Sequence, residues 1–423
     1  MPILEQPTWK SFSKNVSFPS LKGEGAAEVI VIGGGLAGIL TAYSLSKSGK
    51  DVAVLEMDKV GSGATEYTTA FITQGIDTDL VDLIKMFGSQ KAKLVRQSHG
   101  EAINFIEDII RTEKIDCEFV RCSSFIYTIS KNGLKDLEKE VATAQELGFR
   151  SSINKSKLNF KNYGIMETKN QAKFHPLKFL YKLASVVSKN ARIYEQSEVI
   201  KIERPGGKGD WKVFTKNGSL TAPNVVVATY MPFNNPKQTY FKKGMYASYV
   251  FEAKLTKNSI SEGIYWDDDN PYNYFRIDSQ NGKYDRMIIG GQDHRKEVKM
   301  NSEKNYKALE EYMKETFSGL KYEITRRWRG PILEPSDGLA LIGETYPKQY
   351  VATAFSGNGM TYSAISAMLL TDLILGKKNV WARIYDPKRV PSLYQLLKKG
   401  KDYTGEFFGG AAANILKRTK KKP

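Results

Sequence analysis

The chain is poor in cysteine and has no long apolar run. Cys117 and Cys122 are the only cysteines in 423 residues, too few for a disulfide framework, so a reducing cytoplasm is the simplest setting. Neither thiol has a CxxC spacing or a neighbouring histidine, and both read as inert groups in or near the core. No stretch reaches the roughly 18 apolar residues that a membrane helix requires. The longest candidate, 364–375, is too short and is broken by Asp372. Residues 1–26 lack a basic start followed by an apolar stretch, so no signal peptide is expected. Metal-ligand spacings are missing too: Asp267-Asp268-Asp269 has no further ligands in register and reads as a solvated loop ahead of Asn270-Pro271.

The remaining composition is that of a globular protein, with 41% hydrophobic and 26% charged residues. Its length suggests two or three domains. A formal charge of +17 raises the question of nucleic acid or anionic membrane as partner. The lysines are spread along the chain and no nucleic-acid motif accompanies them, so nucleic acid is not expected. The one cluster, Lys417 to Lys422, reads as a solvated tail, with weak peripheral contact to acidic lipid as the other reading. No transmembrane segment is expected.

The densest signal lies between Glu28 and Glu56. An apolar strand, Val29 to Ile32, leads into Gly33, Gly35 and Gly38, then into a helix expected to be amphipathic (Leu36, Ile39, Leu40, Tyr43), then a second strand ending at Glu56. Gly33 permits the strand-to-helix turn, Gly35 lets backbone approach a pyrophosphate, and Gly38 lets the helix lie close to the sheet. A carboxylate about 20 residues on can take both ribose hydroxyls of an adenosine. The pattern points to an ADP-containing cofactor.

Residues 1–26 read as an extended arm with Pro7, Trp9, Phe18 and Pro19 as anchors. From 77 to 150 the apolar spacing is helical, with a β segment near Phe125 to Ile129. A helix and several strands follow over 171–230, including a hairpin whose Asn217-Gly218 turn is expected to supply positive φ angles. Val225 to Ala228 is continuously apolar, as in a strand covered on both faces. Aromatic β segments occupy 245–291, a helix 303–318, and a strand at 350–354 enters Gly357-Asn358-Gly359-Met360 and another helix. Cofactor-type segments thus alternate with others. The expected layout is an arm at 1–26, an FAD-binding domain at 27–76, 170–230 and 325–390, a substrate domain at 77–169 and 231–324, and a basic tail at 391–423. The fold class is α/β, a Rossmann-like FAD-binding domain interleaved with an α+β substrate domain on an antiparallel sheet.

The same stretches carry a family likeness. With the Gly33–Glu56 fingerprint go Gly61 to Thr65, Thr68-Thr69-Ala70, Asn170 to Lys178, Gly290-Gly291-Gln292-Asp293-His294, Asp337-Gly338 to Gly343, Gly357 to Thr361, and Trp381 to Arg389. In these motifs the chain resembles FAD-dependent amine and amino-acid oxidoreductases of the D-amino-acid-oxidase (DAO) superfamily, in particular the γ-glutamylputrescine-oxidoreductase-like branch, whose members often carry a C-terminal Rieske domain. The resemblance implies FAD contacts from Gly33, Gly35, Leu36, Ala37, Gly38, Glu56, Met57, Gly63, Ala64, Thr65, Thr68, Thr69, Ala70, Val199, Ala228, Thr229 and Gly343. It also implies that Gly357, Asn358, Gly359 and Met360 open a helix toward the flavin, where its positive end stabilises reduced flavin. After Arg389 this sequence has no Rieske cysteines. Glu66-Tyr67 stands where relatives have Gly-His, so noncovalent FAD is expected. No arginine follows Trp328-Arg329-Gly330 to clamp a carboxylate.

The implied reaction is hydride transfer to flavin N5 from a carbon bonded to nitrogen in an amine or amino-acid-like substrate, with O2 or a separate protein as electron acceptor. A contrasting reading is an FAD-containing electron-transfer subunit serving an iron–sulfur or quinone-linked acceptor. An amine must lose a proton before it gives up hydride, yet no catalytic residue stands out. Arg276 either faces an anionic part of the substrate or pairs with Asp278 or Asp285. Tyr246, Tyr249 and Tyr274 either wall an amine pocket by cation–π contact or belong to the core. His294 lies at a pocket rim or caps a strand. His175 is expected to start the helix near Leu177, His99 to lie on the surface, and Arg326, Arg327 and Arg329 to form an exposed or paired basic strand.

Overall fold

A computed structural model describes residues 3–11, 16–154, 158–207, 209–231, 245–269, 272–295, 302–335 and 337–390. The basic tail and Asn270-Pro271 lie outside these residues. Strands and helices are numbered in chain order.

The first sheet is built from the apolar strands that the sequence marks most plainly. Its order is β18 (Leu341–Tyr346), β19 (Gln349–Thr353), β12 (Asn224–Val227), β2 (Val29–Ile32), β3 (Val52–Leu55) and β8 (Arg192–Tyr194). All pairs are parallel except β18 with β19. Strand side chains alternate between faces, and here both faces are covered. Val29, Val31, Val52, Val54 and Val226 pack on one side against α1 (Leu36–Lys47), α5 (Pro176–Val187) and α7 (Gly359–Ile374). Ile30, Ile32, Ala53, Leu55, Val225 and Val227 pack on the other against Leu21, Trp211, Val213 and Leu220. Each large apolar side chain among them contributes about 1.5–3 kcal/mol on burial.

The second face is therefore covered by a sheet rather than by helices. That sheet runs β1 (Gly23–Ala26), β11 (Gly218–Ala222), β10 (Trp211–Thr215) and β9 (Val199–Glu203). The expected hairpin is its β10–β11 pair, but neither Asn217 nor Gly218 has positive φ. Glycine is needed at 218 for a different reason. β1 lies parallel alongside, and a Cβ there would stand 2.3 Å from the Gly23 carbonyl oxygen.

Nine strands form the third sheet, in the order β17 (Tyr322–Leu333), β13 (Met245–Thr256), β16 (Tyr284–Arg295), β15 (Tyr274–Asp278), β14 (Gly263–Asp267), β5 (Val120–Thr128), β7 (Gly164–Lys173) and β4 (Phe71–Ile72), with β6 (Ser151–Asn154) also on β7. Only β14–β5 is parallel among these pairs. Helix α6 (Ser302–Thr316) closes an aromatic core on it through Tyr306, Leu309 and Met313. This sheet crosses the expected domain limits: β4 and β17 belong to it, although 71–72 and 325–333 fall within the expected cofactor domain. Long antiparallel pairing with β13 holds all of β17 in the sheet.

Helix α1 is not amphipathic. Nine of its residues are buried because α5 and α7 flank it. Helices α2 (Leu80–Phe87), α3 (Ser89–Thr112) and α4 (Lys131–Glu146) complete the layer over α7 and β7. His99 of α3, expected on the surface, is fully buried, with Nδ1 2.8 Å from Thr361 Oγ1 and its ring edge-on to Tyr362. Burial lowers its pKa to about 3. His175 does cap α5, accepting from the Lys178 N–H at 3.2 Å. Burial raises the Cys117 thiol to about 12 and the Cys122 thiol to about 11, so neither is a nucleophile at neutral pH. Among the described residues no helix is long and apolar enough to cross a membrane.

Candidate active site

Where the first and third sheets meet lies a cavity of about 1200 Å³. The β2–α1 turn forms one end. Gly33 has φ +112°, and a Cβ there would meet the Ala228 carbonyl oxygen at 2.7 Å. A Cβ at Gly38 would stand 1.9 Å from the Gly33 carbonyl oxygen, so only glycine lets α1 seat on the turn. At Gly35 the nearest atom is Thr65 Oγ1 at 3.5 Å, and the residue borders the cavity. Thr65 Oγ1 also accepts from the Leu36 N–H at 3.2 Å, tying α1 to the next loop.

Glu56 closes this end. Its Oε2 accepts the Gly34 N–H at 2.6 Å and its Oε1 the Asp58 N–H at 2.9 Å. Burial raises its pKa while those two amides oppose the shift. Each oxygen keeps acceptor capacity for a hydroxyl. A glycine-walled turn, a helix N-terminus and an oriented carboxylate fit the diphosphate and ribose of a dinucleotide.

The middle of the cavity is walled by residues 62–69, whose backbone is fixed from behind. The Trp328 indole N–H donates to the Tyr67 carbonyl at 3.0 Å, and the Trp9 indole N–H to the Thr68 carbonyl at 2.7 Å. Arg276 donates to the Thr69 and Ala70 carbonyls at 2.9 and 3.2 Å. Four successive carbonyls thus point away from the cavity, and Thr65, Thr68 and Thr69 line it. Arg276 thus lies behind the wall. It is buried, it pairs with Asp278 at 2.8 Å, and it does not border the cavity. Asp278 also receives Lys173 and Arg286, and against the cost of burial Arg276 first, then these two cations, hold its carboxyl far below the usual range.

The far end is bounded by Gly357 to Met360 at the start of α7 and by Ser248, Tyr272 and Tyr274 of the nine-stranded sheet region. Asp77 reaches this helix terminus: its Oδ2 accepts the Gly357 N–H at 3.1 Å and its Oδ1 the Tyr272 hydroxyl at 3.2 Å. A lobe between α2, α4 and the end of β14 carries Asp79, Asp82, Asp136, Asp268 and Asp269, with Lys85 and Lys139 among them. Asp267 is not part of a solvated loop. It is buried, accepting from Asn273 and from the Tyr312 hydroxyl at 2.8 Å. Among the described residues no group of acids, histidines or cysteines could hold a metal ion.

Of the residues the sequence singles out, Gly33, Gly35, Leu36, Ala37, Glu56, Met57, Gly63, Ala64, Thr65, Thr68, Thr69, Val199, Ala228, Thr229 and Gly357 to Met360 border this one cavity, as does Tyr274. Gly38, Ala70 and Gly343 stand behind it; a Cβ at Gly343 would meet Pro387 instead. Tyr249 is buried behind the wall, between the rings of His294 and Tyr306. His294 does not border the cavity, and its Nδ1 is 3.4 Å from Asn305 Nδ2. Asp293, beside it, is a group that sequence reasoning misses as a site residue. Its Oδ1 is sealed from solvent without a hydrogen-bond partner, and burial raises its pKa to about 7.

Comparison with known proteins agrees with this geometry. The model of the DAO family, described as FAD dependent oxidoreductase, matches residues 28–373. The chain is 30% identical over 412 residues to a putative Rieske 2Fe-2S iron-sulfur protein, YhfW, of Bacillus subtilis, covering 95% of this chain and 80% of that protein. It is 22% identical to γ-glutamylputrescine oxidoreductase of Escherichia coli, covering 85% and 86% of the two chains. Among solved structures it resembles L-proline dehydrogenase from P. horikoshii, with a TM-score of 0.72 and 18% identity over 87% of this chain and 98% of that one. Glycine oxidase from Geobacillus kaustophilus gives 0.70 and 18% over 87% and 100%. The chain belongs to the DAO family of FAD dependent oxidoreductases, and its cofactor is FAD.

Proposed function

We propose that this flavoenzyme oxidises the C–N bond of a small amine or amino-acid-like compound. FAD, when bound, supplies the hydride acceptor at N5. The observation that carries the reading is one continuous cavity, which runs from the Glu56 carboxylate to the N-terminus of α7 and there meets a wall of Ser248, Tyr272 and Tyr274. Glu56 would hold the ribose, Gly33 to Ala37 the diphosphate, and Thr65, Thr68 and Thr69 the diphosphate and flavin edge, without a covalent bond. The amides of Gly359 and Met360, in the first turn of α7, would face the anionic side of reduced flavin, the Gly357 N–H being held by Asp77.

The protein's own part is to place the substrate carbon and to exclude water. The acidic lobe supports a cationic substrate, and Arg276, the arginine considered for a carboxylate clamp, is turned away into its ion pair. Two free thiols with raised pKa suit a cytoplasmic setting.

Anaerobic addition of a panel of polyamines, γ-glutamylated amines and amino acids to the purified holoenzyme should bleach the oxidised flavin band with amines. A protein that no amine bleaches would end the reading. Peroxide formation on admitting oxygen would mark an oxidase. Reoxidation only by an added electron carrier would mark transfer to a separate acceptor, the reading suggested by the Rieske relative.

A further inference from the structure

The motif Gly290-Gly291-Gln292-Asp293-His294 sits at an irregularity of the nine-stranded sheet. Ala247 of β13 faces His294 and Tyr249 faces Gly291, so two residues of β16, Gln292 and Asp293, stand opposite Ser248 alone. Such a bulge re-aims a side chain. The backbone shows its cost: Gln292 has φ 55°, and Gly291 has φ 151° with room for no Cβ, since Asn273 Oδ1 would lie 2.3 Å away. The distortion places the Asp293 carboxyl beside Ser248, whose hydroxyl favours its ionised form. Ser248 Oγ is in turn 2.8 Å from the Tyr274 hydroxyl, and both Ser248 and Tyr274 border the cavity.

We propose that Asp293 is the proton sink of the amine reaction, reached from the cavity through the hydroxyls of Tyr274 and Ser248. The inference rests on the reading of the substrate as an amine. A bound ammonium, R–CH2–NH3+, passes one N–H proton to the hydroxyl pair, and the pair passes one on to the Asp293 carboxylate. The nitrogen lone pair so freed forms the C=N bond as the C–H bond breaks, and the hydride leaves to the oxidised flavin. The products are an iminium ion, a two-electron-reduced cofactor and protonated Asp293, which then yields its proton to solvent.

The electrostatics suit the task. The charges acting on Asp293 are two further carboxylates, Asp77 of the loop before α2 and Glu334 beyond β17. Burial chiefly, with these two charges adding to it, lifts its pKa to about 7, where it can both accept and release a proton. Tyr274 and Tyr272 of the β15 region are pushed well above 10, so both stay neutral and can relay but not store a proton. Its chain neighbour His294 turns its ring toward Tyr249.

Asp293→Asn, Ser248→Ala and Tyr274→Phe test this in the FAD-loaded enzyme. Flavin reduction by the best amine of the panel is followed anaerobically against pH, and the carboxyl region of the infrared spectrum is titrated without substrate. In the parent protein kcat/KM for reduction should rise through a limb near pH 7, matched by a carboxyl that titrates there. Asp293→Asn should lose both the limb and the infrared change and reduce about 100-fold more slowly at pH 8. Ser248→Ala and Tyr274→Phe should keep the infrared titration, slow reduction at least 10-fold, and lose the limb. A wild-type limb in Asp293→Asn, or in both hydroxyl variants, overturns the assignment while leaving the amine reading intact. Should the Asp293→Asn protein fail to fold, the two hydroxyl variants decide alone. If no amine reduces the flavin, the amine reading falls and takes this assignment with it, whatever the infrared titration shows.

Discussion

The guanidinium of Arg276 donates to the Thr69 carbonyl across 2.9 Å from behind the cavity wall. A residue that the sequence offers either to an anionic part of the substrate or to an ion pair with Asp278 or Asp285 shapes the loop that borders the cavity, and it is itself fixed by Asp278. Replacing it with Met would leave buried carbonyls unpaired and Asp278 with less cation around it. The expected result is a loss of about 3–5 kcal/mol in denaturant unfolding with weaker FAD retention. Were Arg276 a clamp, KM for an anionic substrate would rise and stability would not change.

Trp9 works on the same loop. Its ring lies 5.3 and 5.5 Å from the Arg276 and Arg286 guanidinium carbons while its N–H holds Thr68. Trp9→Phe keeps most of the buried area but strands that carbonyl, so unfolding should shift by about 1–3 kcal/mol. Trp9→Ala should lose about 3–5 kcal/mol. Urea titration of both variants, read beside flavin fluorescence, would separate loss of stability from loss of cofactor.

Two glycines of the fingerprint should respond differently to the same methyl group. Gly38→Ala drives a Cβ into the Gly33 carbonyl and must part α1 from β2, so the apoprotein itself should be destabilised by more than about 3 kcal/mol. Gly35→Ala meets only ordinary contact at Thr65, and apoprotein stability should stay within about 0.5 kcal/mol. Its methyl would project where the diphosphate is expected, and FAD affinity should fall at least 10-fold by fluorescence titration.

The buried titrating groups act in opposite senses on stability. His99 and His175, lowered by burial to about 3 and about 4, stay neutral in the fold while the unfolded chain takes up protons below pH about 6.5. Their contribution is complete above that pH and is lost as pH falls toward the folded values. Asp293, raised to about 7, holds a proton that the unfolded chain releases above about 4, so its contribution is lost as pH rises between those values. Denaturant titrations from about pH 4.5 to 6.5 should show His99→Asn removing about 1.4 kcal/mol per pH unit from the slope, and Asp293→Asn adding a similar amount.

The cofactor half of the molecule is readable because its signals are local. The apolar run Val29 to Ile32, the spacing of Gly33, Gly35 and Gly38, and the acid at 56 all act within one βαβ unit. The residues misjudged or missed are those whose setting depends on distant chain. His99 lies on a helix with a polar outer face, and only the packing of α7, some 260 residues on, buries it. Asp267 looks like one of three solvated acids until Asn273 and Tyr312 enclose it. Asp293 owes its direction to a two-against-one register with β13, which no periodicity in β16 announces. Pairing with β13 likewise carries β17 straight through the boundary expected at 325, which no local signal announces.

The carboxylates gathered between α2, α4 and β14 stand on a molecule whose formal charge is +17. An amine cation of the proposed substrate class, drifting in from bulk, would first meet a repelling shell and only within a few ångströms an attracting one. Because added electrolyte shortens the reach of the outer field to about 8 Å at physiological strength while the inner one acts at closer range, capture should quicken with moderate salt rather than slow.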